Sequence, residues 1–390
     1  MAKLPDAPAS APLRPDTSSA PKTPAENGRI PSLDGLRAVS IGLVLLSHAT
    51  MGPPLNSGPG AILSQGALGV SVFFVISGFL ITGLLLREMD TTGTISLRRF
   101  YLRRTLRIFP AYYVFIGVMA LLAWLGVLHF APENLVAAAT YTANYCFGCQ
   151  SRDAWFLGHT WSLSVEEQFY LLWPLLLVVA GRRRGGIIAA AWLLVAPLLR
   201  LHWLASGGDT FLTRFELVSD AIATGCLLAI HRPLLHASPA YVRFRDRVGI
   251  WSAVVAFGAA ALAVHPSVLP SRLYVLVAPT VEYLAIALFL DHVVAGPSTV
   301  VSRALNRPIM IWIGGLSYSL YLWQQFFITA AWAPMYLSLP AIVLVAYASW
   351  TLVERPALAF RARIEPLILP RPRARERDAA RLPRGDEKAA

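Results

Sequence analysis

Ten apolar segments, each close to the length that crosses a lipid bilayer, recur along the 390-residue chain at roughly 33–51, 67–86, 109–129, 161–180, 185–203, 213–231, 248–266, 275–294, 309–332 and 336–357. A bilayer core needs about 20 mostly apolar residues per helical crossing. Backbone polar groups in lipid must be paired internally, which restricts spanning segments to helices or closed barrels. The expected fold is therefore all-α, a polytopic membrane helix bundle of about ten transmembrane helices. With 14% charged residues and a mean hydropathy of +0.54, the chain is too apolar for a soluble domain.

The basic residues sort by loop. Five Lys or Arg lie up to Arg37, six lie between Arg87 and Arg107, three at Arg182–Arg184, four at Arg232–Arg247, two at Arg303 and Arg307, and ten from Arg355 onward. Under strict in–out alternation, 30 of the 34 basic residues fall on one side. The positive-inside rule then puts both termini in the cytosol. The net charge of +12 reads as a topology signal and a contact for anionic lipid headgroups, not as a nucleic-acid footprint. Residues 1–30 are rich in Pro, Ala and Ser and read as a disordered cytosolic extension, not a signal peptide. Residues 31–358 form the expected membrane domain, and 359–390 a disordered basic cytosolic tail.

The first span carries ionisable groups. His48 follows Arg37 by eleven positions, about three turns and about 16 Å of rise, so both side chains share a face. Asp34, one turn before Arg37, can pair with it. Such groups in a bilayer face a protein interior or a wet cavity; the alternative is an arginine snorkelling to one headgroup layer and a histidine at the other. Arg104 and Arg107 share a helix face near the inner surface. There they could clamp a phosphate or serve only as positive-inside charge. In the second span Ser71, Ser77 and Gly78 are small enough for close helix approach.

In the longest outer loop, 130–160, Cys146 and Cys149 could form a disulfide. Three cysteines in all are too few for a zinc cage, and no metal is implied. The run from His159 to Pro174 opens the fourth span, with Glu166, Tyr170 and Trp173 on one face. Glu166 enters from the side His48 approaches, so the two are expected to meet in the outer half, as a base and its orienting carboxylate. Glu167 is expected to point elsewhere. Glu216 and Asp220 share a face and could pair with Arg37 or Arg214. Glu354-Arg355-Pro356 reads as a charged pair before a helix-stopping proline.

Together these motifs resemble acyltransferase family 3, the membrane O-acyltransferases that include bacterial O-antigen acetylases and macrolide acyltransferases. The resemblance covers roughly 31–358. It rests on Arg37-x10-His48, on Phe-Phe-Val-Ile-Ser-Gly-Phe-Leu at 73–80, on Arg104-x-x-Arg107-Ile-Phe-Pro, on Trp161-Ser-Leu-Ser-Val-Glu166-Glu-Gln-Phe-Tyr170, and on Ser-Tyr-Ser-Leu-Tyr-Leu-Trp at 317–323. The family implies a cytosolic acyl-CoA donor, commonly acetyl-CoA, as substrate with no permanently bound cofactor. It implies a carbohydrate or lipid-linked glycan hydroxyl as acceptor at the outer face. Carried over, His48 is the base, Arg37 its companion and Glu166 the orienting carboxylate. Arg104 and Arg107 hold CoA phosphates, with Tyr170, Trp161 and Asp34 completing the substrate site.

Many members follow the ninth-span motif with Trp-His; here Trp323 is followed by Gln324, which transfers no protons but can still hydrogen-bond. Some members add an extracytoplasmic hydrolase-like domain. About 30 polar residues after 358 cannot bury a core, so a stand-alone enzyme acting on a membrane-embedded or small acceptor is expected. The rival reading is a transporter or flippase of a lipid-linked sugar or acyl donor, which would also need charges in a polar pathway.

Overall fold

The computed structural model describes residues 30–50, 66–146, 155–208, 212–264, 271–296, 299–329 and 335–368. Among them the chain is helical, without strands. In order the helices are α1 (Pro31–Thr50), α2 (Gly66–Thr92), α3 (Leu97–Trp124), α4 (Pro132–Ala139), α5 (Trp155–Gly158), α6 (Thr160–Ala205) and α7 (Phe215–Val218). They continue with α8 (Asp220–Ala237), α9 (Pro239–Val264), α10 (Ser271–Ala295), α11 (Val300–Leu305), α12 (Pro308–Thr329), α13 (Met335–Ser349) and α14 (Arg355–Ile368). Five stretches of the described residues are long and apolar enough to cross a membrane: Gly66–Thr92, Leu97–Trp124, Trp155–Ala205, Leu276–Ala295 and Tyr336–Ile368.

The 46 residues of α6 would measure about 69 Å if straight, over twice the ~30 Å of a bilayer core. The helix is broken at Gly181, whose φ of 72° and ψ of 175° suit a residue without a Cβ. The expected fourth and fifth spans are thus the two halves of one kinked element.

Helix α1 lies between α2 and α12, α2 packs on α8, α9 on α10, and α12 on α13. Lipid tails are as apolar as leucine, so helices in a bilayer associate through close packing rather than water exclusion. Gly78 and Gly225 provide it: a Cβ on Gly78 would stand 2.0 Å from the Ile222 carbonyl oxygen, and one on Gly225 2.1 Å from that of Val75. One buried cluster centres on α2 and α8 (Phe74, Val75, Ile222, Cys226), a second on α3 and α12 (Tyr112, Phe115, Leu320, Trp323). Leu171, Val179, Leu194, Trp251 and Leu344 are exposed on the outside, where a lipid-facing surface would carry them.

Charged side chains pair near the ends of α2 and α14, the start of α3 and the kink of α6. Arg182 bonds both oxygens of Asp90 at 2.7 Å, Arg99 lies 3.8 Å from Glu88, and Arg103 bonds Glu365. Buried Asp291 gathers Arg232, His236 and Tyr241 from α8 and α9. Asp220 takes neither Arg37 nor Arg214 as partner. It bonds Arg200 at 2.9 Å, both side chains fully buried. Glu216 pairs with Arg214 at 3.7 Å and accepts from the Tyr145 hydroxyl at 3.0 Å.

Pro356 does not stop the last helix. It lies inside one unbroken helical run from Met335 to Ile368, directly after a π-helical turn at Trp350–Glu354, the kind of local adjustment that lets a helix keep a proline. The helix runs to Ile368, ten residues into the expected tail. Between α3 and α5 the chain folds back onto the bundle: the Tyr112 hydroxyl donates to the Ala138 carbonyl at 2.7 Å, and Gln168 bonds Tyr141 and Asn144. Cys146 is disulfide-bonded and Cys226 is free and buried; Cys149 lies outside the described residues.

Candidate functional site

Two cavities meet inside the bundle. The first, about 530 Å³, is lined by three arginines, Arg37, Arg104 and Arg107, and three glutamates, Glu166, Glu167 and Glu354. Among the described residues none of these arginines has an ion pair within 4 Å. The Arg37 Nε is buried without a hydrogen-bond partner. Arg104 lies 4.8 Å over the Tyr170 ring, an attraction between a cation and a π-face that leaves its N–H fork free. Guanidinium forks match phosphate oxygens in pairs, and here three of them share one chamber with three carboxyl groups.

The second cavity, about 470 Å³, shares Arg37, Leu163, Glu166, Ser317 and Tyr318 with the first and adds Val70, Phe73, Phe74 and Tyr321 as walls. It is the more apolar of the two. Val70 follows Gly69, whose Cβ position is 2.6 Å from the Ser40 carbonyl and 2.9 Å from the Val44 side chain. Helices α1 and α2 are therefore packed closely beside this wall. Arg37 is the one α1 residue that lines either cavity, and His48 lines neither; on α12 the second cavity reaches Tyr321, about one turn before residue 324.

His48 stands at the far end of α1, half-buried. Its Nδ1 is 2.8 Å from Gln324 Oε1 on α12, and the Trp155 ring lies edge-on with centroids 6.0 Å apart. The same stretch of α12 anchors the start of α6: the His159 N–H donates to Gln325 Oε1 at 3.1 Å, and Ser162 and Tyr321 share a 2.6 Å hydroxyl–hydroxyl bond.

The acyltransferase domain family matches residues 30–353, which takes in every residue of this site but Glu354. The chain belongs to the acyltransferase 3 family. Similar relatives are a Staphylococcus aureus (strain COL) protein provisionally named an O-acetyltransferase, 29% identical over 324 residues, and the O-acetyltransferase OatA of S. aureus (strain NCTC 8325), 30% identical over 320 residues. Each alignment covers 76% of this chain and 50% of the relative, so the chain spans about half the length of the curated relatives it matches. No solved structure matches it.

Against this acyltransferase 3 framework the expected site residues separate into two groups. Arg37, Arg104, Arg107, Glu166 and Tyr170 share one cavity. Glu166 does not reach His48. It accepts a 2.6 Å bond from Ser77 on α2, and Tyr170 donates to the same Ser77 oxygen at 3.2 Å. Glu166 lies seven residues, about two turns or 10 Å, beyond His159, which brings it to the depth of Arg37 rather than of His48. The partner of His48 is Gln324. Trp161 packs edge-on against Phe74, with centroids 6.1 Å apart, and so buttresses a wall of the second cavity. Arg37 makes no ion pair with Asp34, whose carbonyl instead abuts Gly314 of α12.

Sequence reasoning missed Glu167 and Glu354 as cavity residues. Glu167 is only 100° from Glu166 around the helix, and the cavity is wide enough to include both. Glu354 bonds Ser319 and is turned inward by the π turn, which has no sequence signature here. Tyr141 lines neither cavity. It is the one non-glycine residue among those described with positive φ, 54°. Its ring stacks on Tyr112 at 4.4 Å, and its hydroxyl is buried without a partner.

Proposed function

We propose that the chain is a membrane O-acyltransferase that moves an acyl group, acetyl foremost, from acyl-CoA to a hydroxyl of a carbohydrate or lipid-linked glycan. The observation that carries this reading is the cavity with three guanidinium groups and, among the described residues, no ion pair to them within 4 Å, joined to a less polar cavity that reaches Tyr321, one turn before the Gln324 that bonds His48. CoA is the acyl carrier whose phosphates would use such forks.

In this reading the chain crosses a bacterial inner membrane about ten times, with the arginine cavity opening to the cytosol and His48 towards the outer face. The phosphates rest on Arg104 and Arg107, and the thioester extends past Arg37 and Glu166 into the second cavity, between α2, α6 and α12. His48 Nε2 takes the acceptor hydroxyl proton as its oxygen attacks the thioester carbonyl. The C–S bond breaks, and the CoA thiolate takes the proton back from His48, leaving an ester and free CoA. Membrane lipids surround the bundle and supply the acceptor if it is lipid-linked.

The test is transfer from radiolabelled acetyl-CoA to a total lipid and glycan extract by the purified protein in vesicles. Label transferred by the wild type and lost in His48→Ala supports the proposal, and the labelled product gives the acceptor class. Absence of both transfer and acetyl-CoA binding would overturn it in favour of a transporter or flippase.

A further inference from the structure

The base that this reading invokes needs one nitrogen free. A neutral imidazole carries its proton on either Nδ1 or Nε2, and the partner of one nitrogen decides the state of the other. Nδ1 of His48 lies 2.8 Å from the side-chain carbonyl of Gln324. A carbonyl only accepts, so this bond requires the proton on Nδ1 and leaves Nε2 with its lone pair. Gln324 is fully buried, and its Nε2 amide group has no hydrogen-bond partner. A buried amide whose two donors are unmade is costly in the absence of a ligand.

Resting on the acyltransferase reading, we infer that Gln324 is the positioning residue for His48: its carbonyl holds the imidazole with Nε2 free to accept a proton, and its unpartnered amide N–H group faces the reacting centre as a donor for a substrate oxygen. A carboxylate or a second histidine at this place would add charge or a competing proton site to the buried dyad; glutamine orients His48 while staying neutral. The arrangement does the work of the aspartate in a serine-protease triad, with a neutral amide in its place.

Two measurements test this. The first needs no turnover: 15N spectra of protein labelled at histidine, with His48→Ala identifying the His48 signals. The expected result is a protonated Nδ1 and a bare Nε2 in the wild type, lost or mixed in Gln324→Leu. A wild-type His48 protonated on Nε2, or an unchanged tautomer in Gln324→Leu, would overturn the inference even if transfer activity is present. The second is kinetic. Gln324→Leu is expected to lower kcat about 100-fold, less than the roughly 10⁴-fold that tautomer loss costs in a charged triad, with the acetyl-CoA KM unchanged. Gln324→Glu, which keeps the acceptor, should recover part of that loss. Equal losses in both variants would overturn the positioning role. No activity in any protein, together with the expected spectra, would sink the acyltransferase reading and leave the orientation of His48 by Gln324 standing.

Discussion

Ser77 donates a 2.6 Å hydrogen bond to Glu166, tying α2 to α6 at the junction of the two cavities. Two further bonds between these helices follow along α6: Tyr170 to the same Ser77 oxygen at 3.2 Å and Trp173 Nε1 to Thr82 at 2.9 Å. The face of α6 that carries Glu166, Tyr170 and Trp173 is therefore fastened to α2 by polar contacts.

Ser77→Ala leaves the Glu166 carboxylate and the Tyr170 hydroxyl without this partner. An unsatisfied buried polar group costs about 1–3 kcal/mol, so the variant should melt several degrees lower in detergent. Ser77→Thr, which keeps the hydroxyl, should lie between them. A melting temperature equal to wild type in Ser77→Ala would show that water or a rotated side chain replaces the bond.

The arginine cavity predicts a binding defect. Arg104→Ala with Arg107→Ala should raise the acetyl-CoA KM at least tenfold, because a hydrogen bond to a charged group contributes about 1.5–3 kcal/mol. Arg104→Lys should recover little, since the guanidinium rests over Tyr170 and lysine is a point charge without a planar fork. Full recovery by lysine would argue against paired oxygen recognition.

Arg200 and Asp220 are each fully buried in their mutual pair. Removing one partner strands a charge in the interior, at about 3–5 kcal/mol. Arg200→Met and Asp220→Leu should each give little folded protein, and the double variant should recover much of it. Additive losses in a double-mutant cycle would contradict the pairing.

At the α2–α8 crossing even one methyl group is too large. Gly225→Ala would place its Cβ 2.1 Å from the Val75 carbonyl oxygen and 2.7 Å from the Phe79 nitrogen, both backbone atoms that cannot turn aside. Purification yield and melting temperature should fall sharply for Gly225→Ala. Gly258→Ala, with nothing within 4 Å of its Cβ position, should behave as wild type.

Hydropathy along the chain was enough to define an all-helical bundle and the apolar stretches within it, because burial preference is a property of each residue and its immediate neighbours. Spacing alone put Arg104 and Arg107 on one helix face and joined Glu166 to Tyr170 and Trp173, since a helix repeats every 3.6 residues. Neither property says which face of one helix meets another, or at what depth. That depends on where backbones come close, as at Gly78 with Gly225 and Gly314 with Asp34. Only the assembled bundle therefore gave Glu166 to Ser77 and His48 to Gln324, paired Asp220 with Arg200, and turned Glu354 into the arginine cavity. These partners lie from 20 to 276 residues apart in sequence, and no local periodicity connects residues that meet only by packing.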